Sequence, residues 1–329
     1  MVNWRAAELS DADWDKALSR LDNANVFQSA AWARHKADTG WRAMRALAGD
    51  DGTARAAAQA LVKDLPGGLR LLWLRGGPVG EPALWDSELR KTLASSAGGL
   101  AVYGRICSYH ESDAASSSAL SASGWQRPQT PLDRNMTYLL DLSPEPEDLR
   151  AGLSSNWRHN LKRGLARAEA VHWPDPDPAE METVYRALES LKGLPPQHRA
   201  KELGSLVRTL GGSLILRRAV IDGRTVALRA CAVFSGSAVD LLAAATEEAR
   251  KVYASYSLLW SLVLESRRLG ARTYDLGGAD PDAAAGVADF KKGTGARLIE
   301  TLGERDFAAP AALRRPAGAL IAWKLGKGE

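Results

Sequence analysis

A lysine pair directly after a phenylalanine, in "FKKGTG" at residues 290–295, is the clearest chemical signal in the chain. An ammonium beside an apolar ring is partly desolvated, and a cation fixed at a developing oxyanion can be worth about 3–4 kcal/mol of barrier. Lys291 is therefore the candidate for stabilising the intermediate of an acyl transfer, with Asp275 or Asp289 as the acid that keeps it charged. The plainer alternative is that Lys291 and Lys292 cover a strand edge. No Ser, Cys or His stands where an activated nucleophile would be needed, so direct attack is favoured over a covalent route. Upstream, "YDLGGADPD" places Asp275, Gly277, Gly278 and Asp280 in an acidic, glycine-broken turn. The glycines are expected to let a strand leave its sheet, with Asp275 or Asp280 orienting neighbours. "FKKGTG" is then expected to be a strand that carries the chemistry.

Three other stretches bear binding chemistry. In "NWRHNLKRGLARA" (156–168) the basic residues Arg158, Lys162 and Arg163, with Arg167 a turn further on, lie off an apolar stripe. That stripe is Leu149, Leu153, Trp157, Leu161 and Leu165, spaced as one helical face. Such a basic face reads the phosphates of RNA or of a pyrophosphate-bearing substrate, or is simply solvated. In "QSAAWARHKADTGW", Lys36 follows Trp32 by one helical turn. A buried Trp32 would hold that ammonium near a cleft, although aromatics at the spacing of Trp32 and Trp41 more often belong to a core. Arg75 precedes Gly76, Gly77 and Pro78, a pattern that presents backbone N–H groups to an anion or merely turns tightly after a strand.

The totals remove several classes. At 329 residues, 45% hydrophobic and 25% charged, the chain is long enough for two globular domains. A net charge of +4 and a pI near 9.1 suit phosphate-bearing partners without requiring them. Cys107 and Cys231 are the only cysteines and the five histidines lack zinc-like spacing, so neither a disulfide framework nor a zinc site is indicated. There is no GxGxxG, no GxxxxGK[ST] and no GxSxG. The charged N-terminus has no secretory core and no apolar run would span a bilayer, so a reduced cytoplasmic setting is expected.

The elements that must position these residues fall into two sets. Helices over "DADWDKALSRL" and "QSAAWARHKADTG" precede strands joined by "GDDG", then the helix "DSELRKTLASSAGG" and the buried-strand candidate "LAVYGRICSY". "SDAASSSALSAS" (112–123) reads as a solvated loop or helix end. After the Pro144/Pro146 break, one long helix is predicted from Glu147 to about Ala170. Further helices, then three strands joined by "DG" and "SGS" turns, lead to the helix "SYSLLWSLVLESRRLG" with Ser255 as its N-cap, and to the strand "ARTYDLGG". The order helices, antiparallel strands, helix, strand occurs roughly twice.

Taken in order, "FQSAAWARHKADTGW", "LRLLWLRGGPV", "TYLLDLSPEPEDLRAGLSSNWRHNLKRGLARA", "SYSLLWSLVLESRRLGARTYDLGGADPD" and "VADFKKGTGARLIETLGERD" resemble the FemABX-type aminoacyl transferases along nearly the whole chain. The resemblance implies an α+β fold of two tandem GNAT-like (acyl-CoA N-acyltransferase-like) domains with mixed, largely antiparallel sheets. The first would span 1–145 completed by about 308–329, and the second 146–307. No counterpart of the helical-hairpin arm of some members lies between Tyr185 and Gly211, so the compact form is expected. The resemblance further implies transfer of an amino acid from aminoacyl-tRNA to an amine, usually on the stem peptide of a peptidoglycan precursor. No cofactor is implied beyond the aminoacyl-tRNA co-substrate, and a monomer is expected.

Carried over by position, Lys291 after Phe290 is the catalytic lysine of the family's FK pair, and Tyr256 is a tyrosine near the acceptor. Lys36, Arg158 and Lys162 would touch the phosphates of a nucleotide- or lipid-linked sugar precursor. Trp32, Arg75, Tyr103 and Asp275 complete the expected substrate contacts. Arg199, in the short "LKGLPPQHRAKEL", is the candidate for the family's additional substrate arginine. A small metabolite amine is the alternative acceptor, and acyl-CoA the alternative donor. "ATEEARKVYASYSLLW" holds no glycine to cradle a pyrophosphate, which disfavours CoA. A non-catalytic RNA or lipid-surface binder is the third reading. The tail "RRPAGALIAWKLGKG" could touch the inner membrane surface weakly, but packing on the first domain is the stronger expectation.

Overall fold

The computed structural model describes residues 3–50, 53–133, 135–278 and 285–326. The chain forms two compact units, 1–136 with 299–329, and 137–298. Asp280 therefore lies outside the described residues.

In the first unit, β1 (Trp4–Ala6), α1 (Asp11–Leu18) and α2 (Ala30–Ala37) lead into β2 (Arg42–Asp50), β3 (Thr53–Leu65), β4 (Leu69–Arg75) and the short β5 (Val79–Gly80). Then α3 (Ser87–Ala97) crosses to β6 (Ala101–Glu111), followed by α4 (Ala114–Ala122). β1 to β4 pair antiparallel in sequence order, β4 and β6 run parallel, and the returning β13 (Arg297–Ala309) pairs antiparallel with β6. Ala56, Ala58, Ala60 and Val62 alternate along β3 and all are buried, so every second side chain faces the core. Their small size admits Leu89 and Leu93 of α3, with Trp85, onto the sheet. Last, α12 (Arg314–Gly326) falls in this unit. Arg314 pairs with Asp306 at 2.5 Å and donates to the Arg127 carbonyl, while Leu320 and Trp323 stay exposed.

The second unit begins with β7 (Met136–Asp141), α5 (Pro146–Gly152), α6 (Ser155–Arg167), β8 (Val171–His172), α7 (Pro178–Lys192) and α8 (Ala200–Leu210). A meander follows: β9 (Leu214–Ile221), β10 (Arg224–Phe234) and β11 (Ser237–Ala245). Next come α9 (Glu247–Lys251), α10 (Ala254–Arg268), β12 (Thr273–Gly278) and α11 (Ala285–Lys292). β8 to β11 are antiparallel in order, β11 and β12 parallel, and β12 and β7 antiparallel. This repeats the first unit's plan, except that the strand beside the parallel pair enters first rather than last. No described helix is long and apolar enough to cross a membrane.

Several sequence expectations are corrected here. The boundary falls at 136/137 and 298/299, not 145/146 and 307/308, because β7 pairs with β12 and β13 pairs with β6. The long helix from Glu147 breaks at Leu153 and Ser154, both extended, and the Ser154 hydroxyl caps α6 by accepting from the Trp157 N–H. Leu149, Leu153, Trp157 and Leu161 are buried as the stripe required, but Leu165 is exposed. The serine-rich 112–123 contains a real helix, capped by Asp113 and anchored by buried Leu120. Ser255 does not cap α10; Tyr253, in the left-handed region at φ 63°, does. Most consequentially, Phe290, Lys291 and Lys292 end a helix and do not form a strand. "GTG" stops that helix, with the Thr294 N–H and hydroxyl both donating to the Lys291 carbonyl.

Candidate functional site

The second unit opens where its parallel strands part. β11 and β12 are registered only from Ser237/Thr273 to Val239/Asp275, although β11 runs on to Ala245 and β12 to Gly278. On the other side of β11 a bulge offsets the ladder, with Ala230 facing Leu242 and Cys231 facing Asp240. Bulges of this kind re-aim side chains beside sites. The fork opens into a cavity of about 840 Å³ lined by Leu228, Ala243, Ala244, Leu258, Leu276 and Phe290, with charged and further aromatic groups among its lining.

Lys291 lines that cavity, yet its side chain is buried. Its Nζ donates to the carbonyls of Gly277 at 3.0 Å and Gly278 at 2.7 Å. An ammonium has three N–H donors, and among the described residues two of them find acceptors. Burial pushes the Lys291 pKa down, opposed chiefly by the charge of Asp240. Gly277 sits at φ 79°, and a Cβ there would stand 3.8 Å from Nζ, so the glycine bend itself shapes the ammonium's cradle. Asp275 accepts from the Gly277 N–H at 2.8 Å and from the Thr137 hydroxyl, which fixes that bend. Its pKa is raised by burial, against the hydrogen bond from Thr137.

Above the lysine stands an aromatic cluster. The Tyr256 ring meets Trp157 and Phe290 edge-on, each at 5.0 Å between centroids. Trp157 Nε1 donates to the Phe290 carbonyl at 3.1 Å, and Asn160 Nδ2 donates to the Tyr256 hydroxyl at 3.1 Å. α6 thus holds the end of α11 and the start of α10 together. Gly293 is needed for this fit, since a Cβ would approach Trp157 Cδ1 to 2.8 Å.

Of the predicted site residues, Lys291, Phe290, Tyr256 and Asp275 come together in this unit. The others separate. Arg158 spends its guanidinium on the carbonyls of Ala151 and Leu153, at 2.7 and 2.8 Å, closing the end of α5. Lys162 is exposed on α6, whereas Arg163 lies 4.0 Å over the Tyr253 ring. Arg199 is exposed at the start of α8 and is not among the cavity-lining residues. In the first unit, Lys36 lies 5.0 Å over buried Trp32, and Arg75 lies 4.2 Å over Phe27 with its Nε donating to Tyr109. Gly76 and Gly77 make room for Asn25 and Gln28, whose side-chain atoms a Cβ would approach to 2.3 and 2.4 Å. Their role is close packing. Tyr103 is a correction: it is buried, donates to Asp306 at 2.8 Å and accepts from Arg105 at 2.8 Å, so its hydroxyl is held inside the fold.

Two charged residues escaped notice in the sequence. Arg229, in the interior of β10, and Asp240, the one charge in β11, form a buried pair at 2.5 and 3.1 Å on the cavity lining. Tyr274 donates a further hydrogen bond to Asp240 at 3.2 Å. A solitary charge amid "TVALRACAV" or "SAVDLLAAA" was the available signal.

Known proteins resemble this chain in fold to different depths. Residues 155–292, which hold most of this site, match the family model described as acetyltransferase (GNAT) domain. No curated sequence matches the chain. Among solved structures, FemX superposes with a TM-score of 0.81 at 17% identity, covering 96% of this chain and 99% of its own. The C-terminal domain of a putative lysylphosphatidylglycerol synthetase from Agrobacterium fabrum gives 0.54 at 15%, covering 95% and 96%. A tandem GNAT protein from the clavulanic acid biosynthesis pathway gives 0.54 at 13%, covering 94% and 99%. At such identities the likeness is one of fold: tandem GNAT-like domains of α+β type.

Proposed function

We propose, for a chain that is FemABX-like in fold and carries a GNAT acyltransferase domain, that it is an aminoacyl transferase moving an amino acid from aminoacyl-tRNA to an amine. The acceptor in this reading is the stem peptide of a nucleotide- or lipid-linked peptidoglycan precursor, and the setting is the cytoplasm. The observation that carries it is Lys291, a buried ammonium that lines a cavity and gives two of its three donors to backbone carbonyls among the described residues.

The chemistry follows from that arrangement. The acceptor's neutral nitrogen attacks the ester carbonyl carbon, the carbonyl oxygen gains charge, and an N–H of Lys291 meets it. Collapse breaks the bond to the ribose oxygen, which takes up the proton the amine gives away. A preorganised donor in a water-poor site supplies a large part of such a barrier reduction. Tyr256 and Phe290, pinned by Trp157, wall the reacting centre. Cations supply attraction for a polyanionic donor: Lys192, Arg229, Arg250 and Lys291 line the cavity against Asp240 alone among its described residues. Lys162 and Arg167 add to this from the exposed face of α6.

A second reading, acyl-CoA as donor, draws on the acetyltransferase description of the matched model. One experiment separates the two. The protein is incubated with a pool of charged tRNAs, with candidate precursor peptides and small amines, and products are read by mass. Ribonuclease-sensitive addition of an aminoacyl mass supports the proposal; ribonuclease-resistant transfer that requires acyl-CoA sinks it.

A further inference from the structure

The lining of the cavity holds a carboxylate that the transfer chemistry above leaves without a task. Asp240 is the first residue of β11 beyond the last registered pair with β12, at the vertex of the fork. It lines the cavity, and among the described lining residues it is the only acid. Three hydrogen bonds fix it: Nε of Arg229 and the Tyr274 hydroxyl on Oδ1, and Nη2 of Arg229 on Oδ2. A carboxylate has about four acceptor directions, and among the described residues Oδ2 fills one of its two. Lys291 lines the same cavity, and although burial raises the Asp240 pKa, the charge of Arg229 and, less strongly, that of Lys291 oppose the rise. The lining therefore presents an anion beside the cation that meets the carbonyl oxygen.

Two amines take part in the proposed reaction, and they need opposite treatment. The acceptor's nitrogen must be neutral to attack, and a fixed anion in a poorly solvated site would hold it protonated. The donor's α-amine does not react. Kept as an ammonium, it withdraws electrons from the neighbouring ester carbonyl. An anion one short step from the oxyanion donor therefore suits the group one carbon away from that carbonyl. Buried Arg229 makes Asp240 a rigid acceptor and not a free base. The apolar wall of Leu228, Ala243, Ala244 and Leu258 is left for the amino acid's side chain.

We propose that Asp240, oriented by Arg229 and Tyr274, binds the α-ammonium of the donor's aminoacyl group and so selects free aminoacyl esters over acyl or hydroxyacyl esters. This rests on the aminoacyl-transfer reading above. The test uses the charged RNA that the wild-type protein accepts, half of it treated with nitrous acid to convert the α-amine to a hydroxyl at nearly unchanged size. Wild type is expected to prefer the aminoacyl over the hydroxyacyl ester by about ten- to a hundredfold, the reach of one charge-assisted hydrogen bond. In Asp240→Asn that ratio collapses toward one. Because an unpaired buried Arg229 can undermine folding, the double variant Arg229→Met with Asp240→Leu removes both charges together, and its ratio should fall likewise. Equal use of both esters by wild type, or a preference that survives in either variant, overturns the assignment while leaving aminoacyl transfer standing. Failure of wild type to use any aminoacyl-RNA removes the parent reading and this one with it.

Discussion

The two units use the same strand plan and differ at its parallel pair. In the first, β4 and β6 are registered over seven positions, Leu69/Ala101 to Arg75/Cys107. In the second, β11 and β12 hold three and then part. Where the ladder stays closed, charge is turned inward. Arg105 and Glu304 are fully buried and paired at 3.0 Å, with Tyr103 bridging from Arg105 to Asp306. Where it opens, charge meets a cavity through Arg229, Asp240 and Lys291. The same topology thus holds a closed charge network in one unit and an open, charge-lined cavity in the other, and the length of one ladder separates them.

The contrast breaks most severely if the closed unit also does chemistry. Arg105→Met leaves Glu304 buried without its partner, and should cost about 3–5 kcal/mol of stability in urea unfolding. Turnover per folded molecule should hold; a large loss of kcat in fully folded protein would mean that the network serves the reaction. Next in size is Lys291→Met in the open unit. It removes the proposed oxyanion donor, so kcat should fall about a hundred- to a thousandfold with little change in the melting temperature. Near-normal turnover would take Lys291 out of the mechanism.

How much of this contrast the sequence displayed varies with the range of the contacts. The meanders were readable because the "DG" and "SGS" turns and alternation act locally, and four of the five stripe residues are buried as spacing requires. Lys291 and Asp275 stood out because a lysine after phenylalanine and an aspartate before two glycines are locally odd. The Arg229–Asp240 pair did not, because bringing the two side chains together depends on a β10–β11 register offset by a bulge. Tyr103 stood among the expected substrate contacts on a strand read as buried, and the return of β13 beside β6 gives its hydroxyl Asp306 as a partner instead. "FKKGTG" was misassigned because its helix is held by tertiary contacts, Trp157 on the Phe290 carbonyl and Nζ of Lys291 on two glycine carbonyls. Periodicity over so few residues cannot show either.

A finer probe of the open unit is its pH profile. Burial lowers the Lys291 pKa below its ordinary 10.5, so the ammonium is present below that lowered value and lost as pH rises through it. Initial rates of transfer should therefore fall on the alkaline side earlier than an ordinary lysine would titrate, while the acid limb reports the acceptor amine. Lys291→Arg, which stays charged, should move the alkaline limb upward even at reduced kcat. An unmoved limb would assign that titration to another group.

The smallest effects give the sharpest comparison, because one substitution can be made in corresponding strands. Gly104 on β6 faces Phe307, and a Cβ there would lie 2.2 Å from its ring. Gly104→Ala should therefore overpack the closed unit by about 1–3 kcal/mol and leave kcat of the folded protein alone. Gly277 on β12 has open space around its Cβ position apart from Nζ of Lys291, but its φ of 79° strains any side chain by about 1–2 kcal/mol. Relaxing that strain must swing the Gly277 carbonyl, one of the two acceptors that aim Lys291. Gly277→Ala should thus lower kcat about tenfold, more than its modest loss of melting temperature would suggest. If both variants lose stability and neither loses turnover, the glycine carbonyls are scaffold only, and the open ladder needs some other feature to make it reactive.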